Sequence, residues 1–340
     1  MKTFESLSLA SEVQKALRTL QFTIPTPVQN AVLEAYTSDS SEQDLLVSAE
    51  TGSGKTAAYG IPLVSRLIED KNKTALVLAP TRELAFQIES FLKQLTAFCT
   101  DIRVLSLVGG MDIRRQFKGL AKKPRVIVAT PGRMIDHLKR KSGLLKSTGV
   151  LVLDEGDRML DMGFSPQLKK IVSYLPKDRH SSLFSATLPK KVQGLASDYL
   201  KAPGSISIGQ TALPVASIKQ SVVSLKKRDE KEKKLEEELH HREGSVIIFS
   251  RTKRGAEKIA KGLRKSGFSA GFIHGDCRQA QRIRTLKEFK TGKIRILSAT
   301  DVAARGIDVA QVGHVVNYDL PMNSDDYVHR IGRTARNGES

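Results

Sequence analysis

From Asp44 onward, short apolar runs rich in β-formers alternate with longer stretches whose apolar residues recur at helical spacing. The runs are Leu45-Leu46-Val47-Ser48, Ala75-Leu76-Val77-Leu78, Val104 to Val108, Arg125-Val126-Ile127-Val128, Val150 to Leu153 and Ser182-Leu183-Phe184. Mostly apolar, they predict strands covered on both faces, as in a parallel sheet joined by helical crossovers. The first domain, residues 1–205, is therefore expected to be α/β. Across 206–217 the pattern lapses into Gly, Ser, Thr and Pro, including Gly209 and Pro214, which predicts a linker. Strand-like runs resume at Gln220 to Leu225, Val246 to Phe249, Ser269 to Ile273, Ile294 to Leu297 and His314 to Tyr318, giving a second α/β domain over 218–340. A length of 340 residues suits two such domains.

Lys226 to Glu243 is a dense run of interleaved acids and bases with only Leu235 and Leu239 as apolar anchors, four apart. That spacing predicts a solvated helix rather than a nucleic-acid arm. Thr37 to Gln43, rich in Ser and Asp, reads as a surface loop. The whole chain carries 55 Lys and Arg against 36 Asp and Glu, a net charge of +19. Such an excess suits a polyanionic partner, most simply nucleic acid, or plain solubility, and charge alone does not separate the two. Cys99 and Cys277 stand far apart and outside any metal-ligand spacing, so neither a disulfide framework nor a zinc site is expected, and a reducing cytoplasm fits. No segment approaches the roughly 20 apolar residues that span a bilayer, and Met1 to Leu20 lacks the unbroken apolar core of a signal peptide.

Candidate chemistry begins at Ala49-Glu50-Thr51-Gly52-Ser53-Gly54-Lys55-Thr56, between a predicted strand and a helical pattern. This is the setting of a phosphate loop: glycines let backbone N–H groups close around phosphates, Lys55 reaches the β and γ phosphates, and Thr56 holds magnesium. Asp154-Glu155-Gly156-Asp157 follows the buried run Val150 to Leu153, so Asp154 emerges at a strand's C-terminal end. Beside a phosphate loop, Asp154 is expected to hold the metal and Glu155 to orient or deprotonate a water. Arg330, Arg333 and Arg336 recur every three residues, either as a solvated basic face or as arginine fingers that neutralise transition-state charge.

Taken in order from Phe4 to Arg336, these motifs resemble the DEAD-box ATP-dependent RNA helicases, a family of two tandem RecA-like domains, each a mostly parallel sheet flanked by helices. Phe22-Thr23-Ile24-Pro25-Thr26-Pro27-Val28-Gln29 is similar to the family's adenine-reading motif, which implies that Phe22 stacks on the base and Gln29 bonds its edge, favouring ATP. Pro80-Thr81-Arg82-Glu83-Leu84, Gly109-Gly110 and Thr130-Pro131-Gly132-Arg133 resemble the first-domain RNA motifs, which implies RNA contacts at Arg82, Gly110, Thr130 and Arg133. Ser185-Ala186-Thr187 resembles the segment coupling hydrolysis to strand separation. In the second domain, Ile248-Phe249-Ser250-Arg251-Thr252, Gln279 with Arg282, Ala299 to Asp308 and His329 to Arg336 match the remaining motifs. The resemblance implies backbone contacts from Arg282 and Thr300, a ribose contact from Asp308, γ-phosphate contacts from Arg333 and Arg336, and coupling roles for Asp157, Ser185, Thr187 and His329. His274 is implied to be structural, in a His-Gly-Asp turn.

Three departures stand out. Gly156 occupies the place where the family's name-giving tetrapeptide has Ala, Gln21 stands where it usually has Gly, and the chain stops at Ser340, before a further strand and helix found in relatives. The expectation is a monomeric, cytoplasmic, bacterial-type minimal core that uses ATP and Mg2+ and binds RNA with little sequence preference, because aromatic residues make up only 5% of the chain. Two rival readings remain: an ATP-gated RNA clamp with slow turnover, and a DNA translocase of related architecture.

Overall fold

The structure is a computed structural model that describes residues 3–38, 43–50, 52–188, 190–209, 218–225, 227, 230–304, 312–321, 324–332 and 334. The chain divides into two compact units, Met1–Gln210 and Thr211–Ser340. Among the first unit's described residues, seven strands form one sheet: β1 (Leu45–Ala49), β2 (Thr74–Leu78), β3 (Val104–Leu107), β4 (Val126–Ala129), β5 (Thr148–Asp154), β6 (His180–Ser185) and β7 (Gly204–Ile208). Their order is β3-β4-β2-β5-β6-β1-β7, and every neighbouring pair is parallel. The connecting helices are α1 (Ser11–Thr19), α2 (Pro27–Thr37), α3 (Lys55–Glu69), α4 (Arg82–Leu95), α5 (Ile113–Leu120), α6 (Pro131–Arg140), α7 (Gly156–Asp161), α8 (Ser165–Val172) and α9 (Lys190–Tyr199).

Strand alternation divides the apolar runs between two cores. Ala75, Val77, Val126, Val128, Val150 and Val152 face the side packed by α1 to α4, together with Val13, Leu17, Ile61 and Leu92. Leu76, Leu78, Ile127, Leu151 and Leu153 face the other side, against Met134, Leu138, Met159, Leu168 and Val192 of the later helices. Because both faces are covered, the strands read as unbroken apolar runs rather than as polar-apolar alternation.

One boundary differs from the sequence reading. The stretch expected to open the linker at 206 instead continues β7, which pairs with β1 from Leu45↔Gly204 to Ala49↔Ile208. The period-two Ser205-Ile206-Ser207-Ile208 pattern is that of a half-buried edge strand, and local Gly and Ser content masked it. Residues 210–217 lie outside the described residues.

In the second unit the strands are β8 (Val246–Phe249), β9 (Ala270–Ile273), β10 (Ile296–Ala299) and β11 (His314–Asn317), ordered β11-β8-β10-β9 and again parallel. They alternate with α10 (Glu230–His240), α11 (Lys253–Lys265), α12 (Gln279–Lys290), α13 (Asp301–Ala304) and α14 (Ser324–Ile331). The charged run does form a helix, α10, and Leu235 and Leu239 are its buried anchors. Gln220 to Leu225, expected as a strand, carries none, and Val222 is 93% exposed. Its apolar alternation lacks a ladder partner among the described residues, and unpaired extended backbone is not a strand.

Candidate active site

Six motifs of the first unit leave the C-terminal ends of six strands on one edge of the sheet. The phosphate loop follows β1, Ser185-Ala186-Thr187 ends β6, and Asp154 ends β5, so strand order places these three side by side. Pro80-Thr81-Arg82, Thr130-Pro131-Gly132-Arg133 and Gly109-Gly110 follow β2, β4 and β3 in the same way. Ligand sites of parallel α/β sheets form along this edge.

The loop from Glu50 to Thr56 is held open by two glycines with left-handed backbone, Gly52 at φ 88° and Gly54 at φ 92°. A Cβ on Gly54 would also collide with the Gln29 amide. Gln29, buried at the start of α2, accepts the Thr26 N–H at 2.9 Å and donates to the Gly54 carbonyl at 3.2 Å, while the Thr26 hydroxyl donates to the Ser53 carbonyl at 2.7 Å. The adenine-motif helix therefore clamps the phosphate loop. A carboxamide has a second N–H and a second lone pair, so Gln29 keeps capacity for a base edge. Phe22 is half-buried against Phe4 and Phe91, with ring centroids 6.0 and 6.2 Å away. Gln21, in the glycine position of the turn, takes the left-handed conformation at φ 58°.

Lys55 folds its ammonium onto the carbonyls of its own loop, Ala49 and Glu50, the latter at 2.8 Å. Burial pushes this amine down, and Asp154, Glu155, Asp157 and Glu50 oppose the shift. Asp154 is 3% exposed, and burial, reinforced by neighbouring Glu155, raises its carboxyl to about 6. The buried Tyr59 hydroxyl donates to Asp154 Oδ2 at 2.9 Å, and the Glu155 N–H bonds Oδ1 at 2.9 Å. Glu155 has left-handed backbone (φ 53°, ψ 56°), a conformation that costs about 1–2 kcal/mol outside glycine and concentrates at functional sites. Its carboxylate is ion-paired at 2.8 Å with Arg158, one turn along α7.

Four carboxylates thus surround one lysine, with Arg158 committed to one of them, so the donor set suits an added cation. Among the described residues no cluster of three or more His, Cys, Asp or Glu is disposed to hold a metal unaided. Magnesium, if held here, would take one or two carboxylates and complete its shell with phosphate oxygens and water. Thr56 and Asp154 are the residues that would hold it.

Asp157 joins this site to the next strand. Its Oδ2 accepts the Ala186 N–H, the Thr187 N–H and the Thr187 hydroxyl, each at 3.2 Å, and the Ser185 hydroxyl donates to the Thr187 carbonyl at 2.6 Å. Gly156 starts α7. A Cβ there would lie 3.1 Å from Leu183, so alanine would crowd that core side chain first.

On the other half of the sheet, Thr81 caps α4 through Leu84 N, and Arg82 lies across Gly109-Gly110. Gly110 has φ +74°, and a Cβ on it would run into the Arg82 guanidinium. Arg133 donates to the Met111 carbonyl at 3.2 Å, from the opposite side of the turn in sequence. Thr130 is 9% exposed at the N-terminus of α6. His137, pushed down by burial and by Arg133, bonds Gln116 Oε1 at 2.8 Å, and the Gln116 amide donates to the Val108 carbonyl at 2.8 Å.

In the second unit Arg282 and Thr300 are each 8% exposed, and Arg282 points a nitrogen at the His274 carbonyl, 3.5 Å away. Arg330 corrects the arginine-row reading. It is 2% exposed, bonds both oxygens of Asp301 at 2.6 and 2.8 Å, reaches Asn317 and the Asp319 carbonyl, and lies over the Phe249 ring. A guanidinium so engaged ties α14 to the sheet rather than serving as a finger. Thr51, Asp308, Arg333 and Arg336 lie outside the described residues, as does the side chain of His329.

Tyr59, Thr26 and Arg158 escaped the sequence reading. A signal for Tyr59 was present: it stands four residues after Lys55, hence on the same helix face, with a hydroxyl amid apolar neighbours.

The DEAD/DEAH box helicase family model matches residues 26–195, and the helicase conserved C-terminal domain model matches 230–338. DEAD-box ATP-dependent RNA helicase CshA of Geobacillus kaustophilus is 41% identical over 344 residues, covering 100% of this chain and 72% of that protein. CshA of Bacillus subtilis is 39% identical over 340 residues, covering 99% and 68%. Among solved structures, S. cerevisiae Dbp5 bound to RNA and ADP BeF3 has a TM-score of 0.87 at 33% identity, covering 99% of this chain and 87% of that one. Mss116p bound to ssRNA and AMP-PNP has a TM-score of 0.89 at 32% identity, covering 99% and 73%. With both helicase domains matched along nearly the whole chain, the protein belongs to the DEAD-box helicase family.

Proposed function

We propose that this chain, an ATP-dependent RNA helicase by family, couples RNA-stimulated ATP hydrolysis to local unwinding or remodelling of short RNA duplexes and RNA–protein complexes. In this reading it acts in the cytoplasm as a monomer, with Gly156 a tolerated variant of the name-giving motif.

Phosphates of ATP displace the loop carbonyls at Lys55, whose ammonium moves to the β and γ oxygens while the loop N–H groups from Glu50 to Thr56 close around them. Magnesium, when bound by Thr56 and Asp154 in part through water, supplies charge neutralisation at those oxygens. Tyr59 holds the Asp154 carboxylate in one orientation. Glu155, fixed by its strained backbone and by Arg158, orients the attacking water and takes its proton. Phe22 and Gln29 read adenine, and Asp308, Arg333 and Arg336 take the ribose and γ-phosphate roles that their motifs imply.

RNA is held by Arg82, Gly110, Thr130 and Arg133 in the first unit and by Arg282 and Thr300 in the second, through phosphate and 2′-OH contacts. The observation that carries the coupling is the Asp157 carboxylate. Two residues from Glu155, it receives three bonds from Ala186 and Thr187, so a shift at the hydrolytic turn is transmitted to that segment. His329 serves the same coupling by motif.

The test is steady-state ATP turnover with saturating single-stranded RNA and with matched DNA. RNA should raise turnover well above background and DNA should not. Background turnover in RNA would favour the ATP-gated clamp, and equal stimulation by DNA the translocase.

A further inference from the structure

The net charge of +19 is not spread evenly. Residues 102–147 carry twelve Lys and Arg against two acids, Asp112 and Asp136, so this stretch holds +10 of it. Both acids are engaged: Asp112 caps α5 through Arg114 N, and Asp136 pairs with Arg133.

Arg114, Arg115, Lys118, Lys122 and Lys123 are exposed along α5 and just beyond its last turn, while Gln116, on its inner face, is buried. Lys139 and Arg140 are exposed at the C-terminal end of α6. Among the described residues none of these seven side chains forms an ion pair. Ion pairs are commoner in the second unit: Lys234, Lys258 and Lys261 of α10 and α11, and Arg242 just past α10, each face a glutamate, and Lys253 faces Asp276. A basic face left unneutralised repels itself, a cost relieved by a polyanion rather than by water alone.

This face is fastened to the RNA motifs. Gln116 of α5 bonds the carbonyl of Val108, immediately before Gly109-Gly110, and its other end bonds His137 of α6. The Phe117 and His137 rings meet edge-on at 5.0 Å. Helix α5 is therefore a rigid continuation of the turn that Arg82 covers.

We propose that the exposed face of α5, extended by the end of α6, binds the phosphate backbone of RNA lying outside the strand held by the motif residues, as a sequence-independent anchor for the flank of a structured substrate. This rests on the RNA-helicase reading above. No exposed aromatic lies among the five α5 cations to stack a base, so the contact reads charge rather than sequence.

The test compares the full-length wild type with the variant R114Q/R115Q/K118Q/K122Q/K123Q, using a short single strand that fills only the motif path and the same strand joined to a duplex flank. The variant should match wild type on the short strand, in affinity and in RNA-stimulated ATPase, and should bind the flanked RNA about tenfold more weakly. Its salt slope on flanked RNA should be shallower by about 2–4, the loss of roughly three to five phosphate contacts. Because Lys122 and Lys123 lie beyond the helix, K122E/K123E serves as a second variant that spares α5, with a smaller loss in the same direction. Unchanged affinity and slope on flanked RNA would overturn the proposal in favour of an acidic protein partner or plain solvation. Equal losses on both RNAs would overturn it by making α5 part of the motif path. A wild type that binds neither RNA would instead sink the underlying reading.

Discussion

Two halves of one parallel sheet end on the same edge in opposite chemistry. Strands β5 and β1 deliver Asp154, Glu155, Asp157 and Glu50 around Lys55, with the Ser185 end of β6 between them, a site rich in acid and suited to a metal bound with phosphates. Strands β2, β4 and β3 deliver Arg82, Arg133 and the glycine turn between them, a site suited to a phosphate backbone. One scaffold, with strands of similar length and composition, supports both because the residue just beyond each strand end sets the charge. The nucleotide half also stores more tension, in a left-handed Glu155 and a buried carboxylate raised to about 6. On the RNA half Gly110 takes the positive φ that the turn requires, where glycine costs little.

The largest expected effect breaks the acidic half. Asp154 binds its proton more tightly when folded than the ordinary value of 3.8 allows, so the metal-free fold loses stability as the pH rises from about 4 to about 6 and carries the full cost above that. Well below 3.8 it is protonated whether folded or unfolded, and the cost vanishes. Asp154→Asn should therefore stabilise the nucleotide-free protein in a chelator at pH 7.5, by up to about 3 kcal/mol for a shift of this size. The gain should disappear near pH 3, about a unit below the ordinary value, as urea unfolding at the two pH values would show.

The next substitution breaks the basic half alone. Gly110→Ala places a methyl group against the Arg82 guanidinium in a backbone conformation that alanine resists. RNA affinity should fall about tenfold, close to 1.4 kcal/mol, with ATP affinity unchanged. Fluorescence titrations of each ligand separate the two, and a parallel loss of ATP binding would mean the halves are not independent.

The smallest effect should touch neither half. Gln21→Gly relieves a left-handed non-glycine residue in the turn before Phe22 and should stabilise the chain by up to about 1 kcal/mol in urea, leaving RNA-stimulated turnover as it was.

Much of this was legible in the chain because each motif sits where an apolar run ends. A buried strand followed by Asp154-Glu155, or by a glycine loop and Lys55, states its own place on the sheet edge. What stayed hidden depends on contacts between segments distant in sequence. The bonds from Ala186 and Thr187 to Asp157 exist because β5 and β6 are neighbours, and nothing near position 157 announces it. Gln29 was expected to read adenine, yet its clamp on Gly54 spans 25 residues. Spacing alone left Arg330 between a solvated basic face and a finger, and Asp301, Asn317 and Phe249 make it neither. Strand β7 was lost to local composition, because Ser205-Ile206-Ser207-Ile208 is short and lies beside glycine. The basic face on α5 and α6 needed only a count of acids over 102–147, whereas attention to dense charge led to α10, where the ions are paired.

In the proposed mechanism Glu155 handles the water while the rest of the edge handles binding. Glu155→Gln keeps the side chain's size and an oxygen for Arg158 but removes the base. Measured with ATP and single-stranded RNA together, turnover should fall by about 100-fold or more while ATP-dependent RNA binding persists. Turnover retained at the wild-type rate would contradict the claim and place the activation of water elsewhere.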